Sequence, residues 1–354
     1  MKSESSQFAG GYPPAGIGSR LLRVVAMGGG TGLSTLLKGL KHHVAGGETL
    51  KAGSLCRVGE LCAVVTVTDD GGSSGRLRKE FNVLPPGDIR NCIAALSEDE
   101  ALLSRLFQHR FHAGAGLNGH SFGNLFLTAL TAITGDFAEA VKQSSEILAT
   151  RGHIYPSTTT DVQLEAVMAN GTRVAGETNI TASTERIVEI HLRPPDAQPL
   201  PQTLTAIAEA DLITIGPGSL FTSLVPNMLV RGIPEAVAAS RAVKVFVCNL
   251  MTEANESLGL SAADHIRVLH EHARTRIVDY AMVNRTPVPT DLKAKYAAEG
   301  GSQIEVDVAT IEKLGVKVIL GDYLETAQGV ARHATDRVAR DLLGLASQAT
   351  AAST

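Results

Sequence analysis

The residues best suited to chemistry sit in short glycine-bearing strings that each follow an apolar run. The first is Gly28-Gly29-Gly30-Thr31-Gly32, ahead of a helical pattern. Backbone without Cβ atoms can approach a phosphate closely, and a helix N-terminus adds unpaired N–H groups and partial positive charge. The string is no dinucleotide fingerprint, because Leu33 stands where the last glycine of G-x-G-x-x-G belongs, and no Walker lysine follows. Two readings stand, a phosphate loop and a tight turn that binds nothing.

The second string is Asp69-Asp70-Gly71-Gly72-Ser73-Ser74-Gly75. Its carboxylates suit a ribose hydroxyl or a Mg²⁺ ion held against phosphate oxygens, and Ser73 and Ser74 add hydroxyl donors. A solvated turn with one aspartate capping the next helix is the alternative. The third, Gly216-Pro217-Gly218-Ser219, repeats the logic of the first, with Ser219 able to cap a helix or donate to a phosphate. Between them, Pro85-Pro86-Gly87-Asp88 opens a helix with Asp88 as its expected N-cap, and Arg90 just inside can pair with a phosphate or a neighbouring acid. Gly119-His120-Ser121-Phe122-Gly123-Asn124 precedes another helix, and Asn124 can point a donor toward the same place. Asn249 follows the strand-like run VFVCNL in the equivalent position. No nucleophile, base and orienting group stand together in the sequence, and the histidines lack H-E-x-x-H spacing, so no catalytic residue is assigned.

The elements that must position these strings are legible in the patterning. Leu21–Met27, Leu61–Thr68 and Ala210–Ile215 are continuous apolar runs, and helical periodicity separates them. That combination predicts an α/β fold with a Rossmann-like, doubly wound, mainly parallel sheet. Ligands of such sheets bind outside the carboxyl ends of the strands, where the glycine strings fall. From about 153 to 193 the pattern alternates around Asn170-Gly171, which predicts an antiparallel hairpin excursion. Residues 43–60 read as a long connection, and a C-terminal helix is expected over about 329–346. The predicted organisation is a disordered extension over 1–20, one α/β domain over 21–346, and a disordered tail over 347–354.

Composition excludes several classes. The net charge of −4 offers no footprint for nucleic acid. The four cysteines have no C-x-x-C spacing, which argues against a disulfide framework or zinc site. No apolar run reaches the roughly 18 to 20 residues of a membrane span, and the opening residues lack a secretion signal, so a cytoplasmic protein is expected.

Read in order, GGGTGLSTLLKGLK, VVTVTDDGGSSGRLR, LPPGDIRNCIAALS, GHSFGNLFLTAL, IGPGSLFTSLVPNMLV and VCNLMTE resemble the gluconeogenesis-factor (YvcK-like) family within the 2-phospho-L-lactate transferase (CofD-like) superfamily. The likeness covers about residues 22–342. It implies a CofD-like fold, binding of a uridine nucleotide sugar such as UDP-N-acetylglucosamine, and a need for the protein in cell shape or wall synthesis on gluconeogenic carbon sources. It also implies that Gly28 to Gly32 form the phosphate loop, that Asp69 and Asp70 are the acidic pair, and that Asn249 lines the cleft. Tyr296 in KAKYAAEGG and Arg332 in VARHATDRVAR fall where the family places uridine-nucleotide contacts. This chain departs from the family in MTEANES near Met251 and in its longer 43–60 connection.

Two functions follow, a nucleotide-sugar-binding regulator and a phospholactyl-type transferase using a nucleotide diphosphate donor and Mg²⁺. The missing catalytic set and the thin supply of aromatic residues, 4%, favour the regulator. The partners to test for are the nucleotide sugar, a protein in wall regulation and a second copy of the chain in a homodimer.

Overall fold

A computed structural model describes residues 20–45, 57–97, 102–327 and 329–352. The expected extension over 1–20 and the middle of the 43–60 connection lie almost wholly outside the described residues. The chain forms β1 (Leu22–Gly28), β2 (Val58–Val65), β3 (His153–Pro156), β4 (Gln163–Met168), β5 (Arg173–Ala175) and β6 (Ile187–Arg193). It continues with β7 (Leu212–Ile215), β8 (Val243–Val247), β9 (Tyr280–Asn284), β10 (Lys317–Gly321), β11 (Leu324–Ala327) and β12 (Val330–His333).

Seven of these make one sheet in the order β10-β9-β8-β7-β1-β2-β3, parallel throughout. Counted along the sheet's own strands this is 3-2-1-4-5-6-7, the doubly wound order whose direction of winding reverses between β1 and β7. The runs that looked continuously apolar are buried on both faces: Val24–Met27, Leu61–Val65 and Leu212–Ile215. Register then levels the strand ends, with Gly28 opposite Val65 and Met27 opposite Ile215, so the loops after β1, β2 and β7 leave the sheet side by side. Helix Gly30–Leu40 covers β1 and packs against helices Gly87–Leu96 and Thr335–Ala352.

The antiparallel excursion is present as a three-stranded sheet, β5-β4-β6, with the Asn170-Gly171 turn joining β4 to β5. Its start differs from expectation: His153–Pro156 is β3, a parallel edge strand of the main sheet paired with β2. The C-terminal helix also differs. Residues 330–333 form β12, an antiparallel partner of β11, because Gly329 in the left-handed region turns the chain back on itself. The helix starts at Thr335 and runs to Ala352, so the tail expected from 347 is helical up to that residue. Alanine there favours helix, and the Ser347 and Thr350 hydroxyls bond back to the Leu343 and Ala346 carbonyls, four residues earlier in each case. Among the described residues no helix is long and apolar enough to cross a membrane.

Candidate functional site

A cavity of about 590 Å³ opens at the reversal point between β1 and β7. Its floor is the Gly29–Gly32 loop and its near wall is Pro217, Gly218 and Ser219. The two loops touch through backbone: a Cβ on Gly32 would lie 2.3 Å from the Pro217 carbonyl oxygen. Gly216 holds φ +84 and donates its N–H to the Met27 carbonyl, which bends the second loop over the first. Helix Gly30–Leu40 carries no acid in its first turn, and its first N–H groups lack intrahelical acceptors. Thr31 and Gly32 therefore present donors and the positive helix end to the cavity.

Carboxylates ring this donor site. Asp88 is not the N-cap of its helix; Pro86 is, and Asp88, two residues later in the first turn, accepts from the Gly30 N–H. Burial and the charge of Asp69 push its carboxyl up to about 6, although Gly30 and Arg90 pull the other way. Glu177, from the segment between β5 and β6, lines the same cavity. Burial first, then Asp69, Asp88, Asp70 and Glu256, push it up to about 9. Sequence reading gives Asp88 only a capping role, and nothing in the sequence patterning brings Glu177 here from the excursion.

The sequence-expected residues divide by what they do. Asn249 lines the cavity, but its amide is committed to Gly218, donating to the carbonyl at 2.8 Å and accepting from the N–H at 3.0 Å. It holds the second loop in shape. Asn249→Ala leaves both backbone groups without partners, and a loss of about 2 to 4 kcal/mol in urea-unfolding stability is the expected result. Ser219 stands at the N-cap position of the turn Leu220–Leu224, but its side chain donates to Glu253 at 2.7 Å and makes no capping bond. The turn after it is capped by Glu256, which accepts from the Phe221 and Thr222 N–H groups at 2.7 and 2.9 Å. Burial and Glu253 raise the Glu256 carboxyl.

Asp70 accepts from the Thr178 N–H and hydroxyl at 2.9 and 2.7 Å, tying the second loop to the excursion, while Asp69 accepts from the Gly71 N–H at 2.9 Å. Among the described residues no group of three or more His, Cys, Asp or Glu side chains is placed to hold a metal ion.

Ser73 and Asn124 form a separate buried cluster beside the cavity, with Asn124 donating to the Ser73 hydroxyl at 3.1 Å and His120 Nδ1 at 2.9 Å from the same oxygen. Burial, then Arg76, keep His120 below the usual histidine range. Ser74 packs against Gly87, and Arg90 donates to Asn91 while its stem packs on Gly123. The far wall of the cavity is Tyr296 and the strand Val330–His333. Tyr296 accepts the Ala331 N–H at 3.2 Å, and Arg332, opposite Glu325 in the ribbon, is exposed with no side-chain hydrogen bond or ion pair among the described residues. His333, one residue on, is not among the residues that the sequence reading or the resemblance singles out.

Sequence and structure comparisons converge on one group. Residues 24–324 match the family described as 2-phospho-L-lactate transferase CofD. The gluconeogenesis factor of Bacillus subtilis is 44% identical over 323 residues, covering 91% of this chain and 98% of that one. The gluconeogenesis factor of Halalkalibacterium halodurans is 45% identical over 320 residues, 90% and 95% of the two chains. A crystal structure of a Bacillus halodurans protein, 44% identical, superposes with a TM-score of 0.85 over 92% of this chain and 100% of its own.

Proposed function

The chain belongs to the 2-phospho-L-lactate transferase CofD family, and from that premise we propose that it is a nucleotide-sugar-binding regulatory protein of the gluconeogenesis-factor kind. One observation carries the reading: the donor loops at the β1–β7 reversal face, across a single cavity, an aromatic ring and an unpaired guanidinium. Phosphates belong on the Thr31 and Gly32 N–H groups, a base against Tyr296, and the diphosphate within reach of Arg332. The cavity volume falls in the range that small-molecule sites use. UDP-N-acetylglucosamine is the ligand to which this reading commits, and a cytoplasmic supply of that wall precursor is what the protein would sense. Cells lacking it should lose shape on gluconeogenic carbon and keep it on sugar.

Calorimetric titration with UDP-N-acetylglucosamine and GDP, each with and without Mg²⁺, tests the proposal. Micromolar binding of the UDP-sugar with no product supports it; no binding of any nucleotide removes it. A second reading, group transfer from a nucleotide diphosphate, draws support from Asp88, a cavity acid raised to about 6 that is ionised above that pH and able to take up an acceptor's proton. Product analysis of the same mixtures decides between the two. Arg332→Ala is expected to weaken the UDP-sugar by about 1.5 to 3 kcal/mol while leaving the melting temperature unchanged, because the side chain is exposed and unpaired in the free protein. Unchanged affinity would place the diphosphate elsewhere.

A further inference from the structure

His333 is held in one protonation and one tautomer at the cavity wall. Its Nε2 lies 3.0 Å from the Cys248 carbonyl oxygen, just past the carboxyl end of β8. A carbonyl only accepts, so the ring proton sits on Nε2 and Nδ1 is left with a lone pair. Burial holds the imidazole down to about 4, which keeps it neutral across the working range. Nδ1 has no partner among the described residues, and the residue lines the cavity beside Tyr296. The strand carrying it is pinned on both sides, by pairing of His333 with Leu324 and by the Ala331 N–H bond to the Tyr296 hydroxyl.

We infer that His333 Nδ1 is a base-reading acceptor, which admits nucleobases bearing a ring N–H and rejects those whose ring nitrogen is itself an acceptor. The inference rests on the nucleotide-binding reading above. Uracil N3–H and guanine N1–H offer the donor that this lone pair needs. Cytosine N3 and adenine N1 offer a second lone pair, which repels it and leaves two polar groups unsatisfied. A site built around one hydrogen bond discriminates strongly against ligands that lack the matching group. Tyr296 supplies a face on which any base can lie, so discrimination among bases falls to His333.

The test uses the wild-type chain and needs no mutation to be read. Affinities for UDP, 3-methyl-UDP and CDP are measured by calorimetry, followed by GDP against ADP. UDP is expected to bind at least about tenfold more tightly than 3-methyl-UDP or CDP, and the tighter of UDP and GDP identifies the base. Equal affinity for UDP and CDP overturns this inference alone and leaves nucleotide binding standing. No measurable binding of any of the five overturns the nucleotide-binding reading and the inference with it. In His333→Gln the side-chain amide can still donate to Cys248 and still present an oxygen, so the UDP preference is retained. His333→Leu erases it, bringing UDP to the affinity of CDP; a UDP preference that survives in His333→Leu overturns the assignment to this residue.

Discussion

Gly32→Ala removes nucleotide-sugar binding, a loss of roughly a hundredfold or about 3 kcal/mol. The added Cβ would sit 2.3 Å from the Pro217 oxygen, 2.6 Å from its carbonyl carbon and 2.9 Å from the Gly218 Cα. These are backbone atoms, which cannot rotate away as a side chain could, so the two loops must separate. Separation pulls apart the N–H donors of the first loop and the Gly218 turn that Asn249 holds. Calorimetry with UDP-N-acetylglucosamine and urea unfolding check it together. The control is Gly171→Ala in the β4–β5 turn, where an added Cβ meets nothing within 4 Å but the backbone stands at φ +83. It costs about 1 kcal/mol of stability and no affinity. Gly32→Ala binding like the wild type would show that the loops need not touch.

Raising the pH from 6 to 9 weakens both the fold and the grip on a phosphate-bearing ligand, the reverse of the usual behaviour of carboxylates paired with cations. Glu177 titrates near 9 in the folded chain against 4.5 as its ordinary value, and Asp88 near 6 against 3.8. In both cases the folded state holds a proton that the unfolded chain has already released. Stability is therefore highest below the unfolded values and falls as pH rises, until each folded pKa has been passed. For Glu177 that window extends to about 9. Within it each ionisation also adds a negative charge beside the donor loop, so ligand affinity falls in step. Glu177→Gln removes the larger contribution. Urea midpoints and UDP-sugar affinities at pH 6, 7.5 and 9 should show a slope in the wild type and a much flatter one in the variant. Equal slopes would acquit Glu177 of responsibility.

Much of this was settled by local pattern. Continuous apolar runs at Val24–Met27 and Leu61–Val65 require burial on both faces, which in turn requires a parallel sheet with helices above and below. Glycine strings after such runs mark the strand ends, and the Asn170-Gly171 pair marks its hairpin. These are short-range signals, carried by periods of two and 3.6 residues and by backbone freedom. What tertiary structure alone decided was which groups meet. The order of strands around the β1–β7 reversal put Gly32 against Pro217, some 185 positions away along the chain. It turned Asn249, Ser219 and Asp70 toward the protein's own backbone and side chains, where sequence reading had aimed their polar groups at a ligand. Glu177 reached the cavity from an antiparallel excursion, a segment with no motif to announce it, and His333 from a two-stranded ribbon in which sequence reading had singled out only its neighbour Arg332. Hydrogen-bond partners and proton affinities depend on neighbours in space, and no residue type or spacing encodes those directly.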